Sequence, residues 1–168
     1  MDKITLDRIE LLHPALREEA KQIYAEICER LTGRATCRFA YTLRTFAEQD
    51  AIYAKGRTVA GVIVTKAKGG QSWHNYGLAV DVVLIIDSKE ASYDFSKDFD
   101  SDGMSDWEEI DFVFSLYGWT GLYNKNKNRY DLPHFQKTFG LTISECLNRH
   151  NSGQVIGGTN YIKLYQIA

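Results

Sequence analysis

Between positions 14 and 31 the apolar residues Leu16, Ala20, Ile23, Tyr24, Ile27 and Leu31 recur every three or four places. That spacing puts one stripe of a helix against a core, with Pro14 suited to the first turn and Gly33 just past the end. From Cys37 the period becomes two: Cys37, Phe39, Tyr41 and Leu43 alternate with Arg38, Ala40 and Thr42, predicting a half-buried strand that ends at Arg44. Thr45 and Glu48 match a capping box, in which each residue satisfies the other's free backbone amide, so 47–56 predicts a short helix stopped near Gly56. Residues 56–77 are glycine-rich and hold no period, which predicts a long loop, a feature often functional in compact domains. The run GLAVDVVLII, 77–86, predicts a buried strand, and 107–117 a helix. Residues 130–136 predict a short strand, Thr142 and Glu145 a second capping box opening a helix through Asn148, and 161–167 a last edge strand.

Runs of helix and strand with no linker or shift in composition predict one α+β domain over residues 1–168. At 168 residues such a chain buries roughly 70% of its unfolded surface, enough for a core without disulfides or oligomerisation, and a monomer is expected. The longest apolar run contains Asp81 and is too short to span a bilayer, so no membrane partner is expected. The first twenty residues lack the basic and apolar regions of a secretory signal, which leads us to expect synthesis in the cytoplasm. Cys28, Cys37 and Cys146 are odd in number and form no CxxC pair, so buried free thiols are expected. The formal charge of −2 hides an asymmetry: eight acids between 94 and 111 face only Lys97, and the rest of the chain is net positive. Such a surface suits an anionic substrate. Lys125, Lys127 and Arg129 form a small basic cluster better read as a solvated loop, so no nucleic-acid partner is expected, and His13 and His150 are assigned surface or capping roles.

The chemistry starts at Asp81, a carboxylate between Val80 and Val82 in a strand otherwise fit for burial on both faces, where it needs compensation. His74 precedes the Gly77 turn that feeds this strand, and His134 lies in the second short strand with Asp131 three residues before it. Two histidines and one carboxylate are a ligand set for catalytic Zn²⁺ with a fourth position open to water, leaving Asp131 free as a base.

Ser72, His74, Gly77, Ala79 and Asp81 in SWHNYGLAVD, then Asp131 and His134 in DLPHFQ, resemble the M15 metallopeptidases, the D-Ala-D-Ala carboxypeptidase and dipeptidase group. With LRTFAEQDAIYAKGRT and GVIVTKAKGGQ upstream, residues 40–137 look most like the L-alanyl-D-glutamate endopeptidase branch, which includes phage endolysins. The resemblance implies a small antiparallel sheet flanked by helices, the zinc DD-peptidase or hedgehog-like fold. It implies a zinc hydrolase of peptidoglycan stem peptides, with His74, Asp81 and His134 on the metal and Asp131 as general base. Arg44 matches a family arginine suited to an oxyanion or a substrate carboxylate, and Ser72 and Gln49 match positions that orient ligands or substrate. Without a secretory signal, such an enzyme reaches the wall on release, as at phage lysis. One departure leaves substrate preference open: where relatives carry a Trp-Gly-Gly-x-Trp stretch, this chain has GWTGLYNKNKNRYD. A D,D-carboxypeptidase or dipeptidase is the alternative enzyme, and a non-catalytic zinc- and calcium-binding module the alternative of another class. No separate wall-binding module is expected after Gly140.

The acidic stretch DFDSDGMSDWEE carries Asp98, Asp100, Asp102, Asp106 and Glu109 at positions 1, 3, 5, 9 and 12 of an EF-hand loop, with glycine at 6 and the Met104 carbonyl at 7. This pattern predicts Ca²⁺ within an insertion near 94–111. A plain acidic turn capping the next helix is the other reading.

Overall fold

The computed structural model describes residues 2–123 and 126–164. Its centre is the apolar run, which forms β2 (Ala79–Ile86) and is buried throughout except at Asp81. β1 (Ala35–Tyr41) runs antiparallel along one edge, from Ala35 opposite Ile86 to Tyr41 opposite Asp81. The other edge is shared: β5 (Arg129–Gln136) pairs with Ala79 to Asp81, and β3 (Glu90–Ser92) with Leu84 to Ile86. β4 (Thr120–Tyr123) lies outside β5, giving the order β1-β2-β5-β4 with β3 beside β2 and every pairing antiparallel. The helices are α1 (Lys3–Ile9), α2 (Arg17–Arg30), α3 (Phe46–Ala54), α4 (Asp106–Leu116) and α5 (Ile143–Asn151). The expected α+β class and small antiparallel sheet are what the chain forms.

All six apolar positions of the first predicted helix are buried, although its Pro14–Leu16 turn is 3-10 rather than α. Both capping boxes form, at Thr45 with Glu48 and at Thr142 with Glu145, and the second helix runs three residues past Asn148. The strand expected to end at Arg44 stops at Tyr41. A bulge between Phe39 and Tyr41 shifts the alternation, so Thr42 is buried where Leu43 was expected. Periodicity misses α1, β3 and β4, which are too short to carry a readable period. Cys37 and Cys146 are buried as expected, but Cys28 is exposed, on the outer face of α2. His13 does cap the Pro14–Leu16 turn, yet it is buried, with Nε2 2.9 Å from the Ile162 carbonyl. Of the expected edge strand, Ile162 makes a single bridge to Val155, and 165–167 lie outside the described residues, as does Lys125 of the basic cluster.

Alternation along the sheet separates core from site. Val80 and Val82 share a face with their partners Phe135 and Phe39. Phe114 of α4 stacks on Phe135 at 4.0 Å and lies 6.0 Å from Phe39, and Tyr24 of α2 meets Phe39 edge-on at 5.6 Å. Asp81, His134 and Tyr41 therefore project from the opposite face.

Candidate active site

The loop predicted over 56–77 ends in a 3-10 turn, Trp73–Tyr76, which carries His74. Asn75 fixes that turn: its Oδ1 accepts from the amides of Gly70 (2.9 Å) and Ser72 (3.1 Å), and its Nδ2 donates to the Arg44 carbonyl (2.9 Å). Gly77 closes the turn at φ 67°, and a Cβ there would lie 2.7 Å from the His13 amide nitrogen, so only glycine reverses the chain into β2 at this point. Asp81 then stands directly opposite His134.

The three side chains meet. His74 Nε2 and His134 Nδ1 each lie 3.1 Å from Asp81 Oδ1 and 3.2 Å from each other. A tetrahedral zinc ion with bonds of about 2.0 Å holds its ligands about 3.3 Å apart, close to this triangle. The outer nitrogens are engaged: His74 Nδ1 is 2.7 Å from the Thr42 carbonyl and His134 Nε2 is 3.0 Å from Gln136 Oε1, both acceptors. Each imidazole thus keeps its hydrogen outside and turns a lone pair inward, the tautomers a metal requires. Burial opposes ionisation of Asp81, but the two imidazoles, when they carry an inward hydrogen and a positive charge, outweigh that and hold its carboxyl below the usual range, the part a cation plays once their lone pairs turn inward. The residues fit zinc.

Asp131 and His134 are three apart, an offset that points to opposite faces in a regular strand. Here β5 is bulged: Gln136 faces Thr120 and Asp131 faces Leu122, so five steps on β5 match two on β4. Pro133 lies within the bulge, where no ladder donor is needed. Asp131 is half-buried and its pKa is raised, by burial and by the Asp81 charge, against the pull of His134, His74 and Arg129.

Arg44 stands at the rim. Its amide donates to the His74 carbonyl (2.9 Å), its guanidinium lies over Tyr41 at 4.5 Å, and Nη2 is 3.9 Å from Asp81 Oδ2. Nη1 donates to Oε1 of the fully buried Gln49 (3.0 Å), whose Nε2 in turn donates to the Ala67 carbonyl (2.8 Å). Gln49 therefore holds Arg44 against the loop, and Ser72 caps the turn that presents His74. Sequence reasoning missed Tyr41, Thr42, Asn75 and Gln136. Gln136 was findable, two residues beyond His134 on one face of a strand, whereas a backbone carbonyl such as that of Thr42 leaves no trace in side-chain patterns.

The acidic loop folds its carboxylates into two overlapping groups, Asp98 with Asp100 and Asp106, and Asp100 with Asp102 and Glu109, each with oxygens within 4.8 Å of one another. Burial and the charges of Asp102, Asp100 and Asp106 push Glu109 up to about 7. Ser105 and Glu108 form the capping box that opens α4. In the basic cluster, Arg129 is committed internally, paired with Asp111 and donating to the carbonyls of Leu132 and His134. Among the described residues no helix is long and apolar enough to cross a membrane.

The chain is similar to known proteins over most of its length. Residues 11–132 match the VanY family, described as D-alanyl-D-alanine carboxypeptidase, a span that includes His74, Asp81 and Asp131 and ends just before His134. The chain is 35% identical over 127 residues, 74% of its length and 72% of the relative's, to the peptidoglycan L-alanyl-D-glutamate endopeptidase CwlK of Bacillus subtilis (strain 168). Its fold is similar to that of the Serratia marcescens L-Ala D-Glu endopeptidase ChiX, with a TM-score of 0.51 and 18% identity over 83% of this chain and 90% of that one. It is also similar to the vancomycin-resistance D,D-dipeptidase VanXYg, with a TM-score of 0.51 and 19% identity over 94% of this chain and 66% of that one. With a family match across most of its length and a curated relative above 30% identity, the chain belongs to the VanY-type M15 metallopeptidases and is a peptidase.

Proposed function

We propose that the protein is a zinc-dependent peptidoglycan hydrolase that cleaves the L-Ala-D-Glu bond of stem peptides. The observation that carries the reading is the triangle of His74 Nε2, Asp81 Oδ1 and His134 Nδ1, three inward lone pairs with Asp131 on the same bulged strand as His134. The choice of bond rests on the 35% identity to an L-alanyl-D-glutamate endopeptidase.

Zinc bound by His74, Asp81 and His134 supplies an acidified water and a Lewis acid for the scissile carbonyl. Asp131 accepts the proton of the attacking water and returns it to the leaving amine nitrogen. Arg44, fixed by Gln49 and Tyr41, offers donors to the developing oxyanion or to a substrate carboxylate. The two imidazoles are held in orientation by Thr42 and Gln136. The substrate places the work in the cell wall, and release at lysis, as for an endolysin, is the route this reading assigns.

Mass spectrometry of fragments from purified peptidoglycan tests the reading. New D-Glu amino termini, lost with a chelator and restored by zinc, are the expected result. Release of terminal D-Ala alone would transfer the site to the D,D-carboxypeptidase reading, and no release under any metal condition would leave only a binding module.

A further inference from the structure

Glu109 is 3% exposed, and among the described residues its Oε2 is buried with no hydrogen-bond partner. Asp100 Oδ1 is in the same state. An unpaired buried carboxylate oxygen is costly, and here two of them belong to the group that Asp102 completes. Arg30, the cation that acts on Glu109, directs its Nη2 to Glu26 at 3.4 Å. Oxygens within 4.8 Å of one another fit around one hard cation with bonds of 2.3–2.6 Å, as Ca²⁺ makes. Asp100 belongs to both carboxylate groups, so the two sets adjoin at one residue.

We propose that Asp98, Asp100, Asp102, Asp106, Glu109 and the Met104 carbonyl hold one Ca²⁺ ion that clamps α4 to the connection between α2 and β1. The mechanical link is on the Asp100 side. Its Oδ2 accepts from the amide (3.0 Å) and hydroxyl (3.1 Å) of Thr32, and the loop rests on Gly33, where a Cβ would meet Asp100 Cα at 2.7 Å. On the other side, Glu109 and Asp106 lie in α4, whose Phe114 stacks on Phe135, the neighbour of His134. Calcium thus fastens the helix that backs the strand of the zinc site, and calcium-free protein loses that support without losing a zinc ligand.

The test uses full-length, zinc-loaded protein dialysed into calcium-free buffer containing zinc. Calorimetry and thermal denaturation are followed as CaCl₂ is added, and Tb³⁺ emission excited through Trp107, the residue after Asp106, reports the loop directly. We expect one Ca²⁺ per chain, a midpoint raised by roughly 5–10 °C at a hundredfold excess over Kd, and Tb³⁺ emission quenched by Ca²⁺. Glu109→Gln should abolish all three with zinc content unchanged, and the exposed Asp102→Ala, which removes no buried group, should weaken calcium binding at least tenfold. No heat, emission or thermal shift at 10 mM calcium would overturn the proposal. So would calcium binding that both substitutions leave unaltered.

Discussion

Asp81 and His134 face each other across β2 and β5, with His134 Nδ1 3.1 Å from Asp81 Oδ1, so the pairing register of the sheet sets the metal site. A one-residue slip of β5 would turn His134 into the core face and away from Asp81. Asp81→Asn or His134→Ala should therefore lose zinc and lower kcat/KM by at least about 10²-fold while the sheet stays folded, checked by metal content alongside circular dichroism.

Asp131 is expected to behave differently. Asp131→Asn should retain full zinc and lower kcat about 10²- to 10⁴-fold with little change in KM, the loss expected for a general base. Full turnover in that variant would remove Asp131 from the proton path.

Gln49 touches Arg44 and the loop segment at Ala67, not the ligand triangle. Gln49→Leu should leave zinc content intact and lower kcat/KM about tenfold or more by freeing Arg44, and Arg44→Lys should fare no better, because lysine's single ammonium nitrogen cannot present the planar fork that places one nitrogen on Gln49 and another toward substrate. Steady-state kinetics on a stem peptide checks both.

Much of this was legible in the sequence because it depends on side-chain type at fixed spacing. The buried run with one carboxylate, the two capping boxes and the His-turn-Asp spacing all declare themselves that way. The geometry that makes them one site was not legible. The β1 bulge that exposes the Thr42 carbonyl to His74 and the β5 bulge between Asp131 and Gln136 are backbone events, and short elements such as β4 give the period no room to appear.

Stability should respond most at Phe114, which bridges Phe39, Trp119 and Phe135. Phe114→Ala is expected to cost about 3–5 kcal/mol in urea unfolding, since the sheet cannot close over the cavity left by the ring.

A pH signature is expected at Asp2, which caps α1 and accepts from Arg38 through both oxygens, at 2.9 and 3.1 Å. Burial opposes its ionisation, but Arg38 and Thr5 outweigh burial and hold its pKa below the ordinary value. Its stabilisation is therefore complete above the unfolded value near 3.9 and lost as pH falls through the lower folded one. Asp2→Asn keeps the cap acceptor and removes the charge, so it should cost about 1 kcal/mol at neutral pH, shrinking as the pH falls through the folded value. Parallel thermal melts across pH 2.5–7 check this.

The most direct test of the account is zinc stoichiometry with X-ray absorption on the purified protein, the parent beside Asp81→Asn and His74→Ala. The account predicts one zinc per chain with only nitrogen and oxygen neighbours, and loss of that zinc in both variants. A full equivalent of zinc in either variant, or sulfur among its ligands, would contradict it.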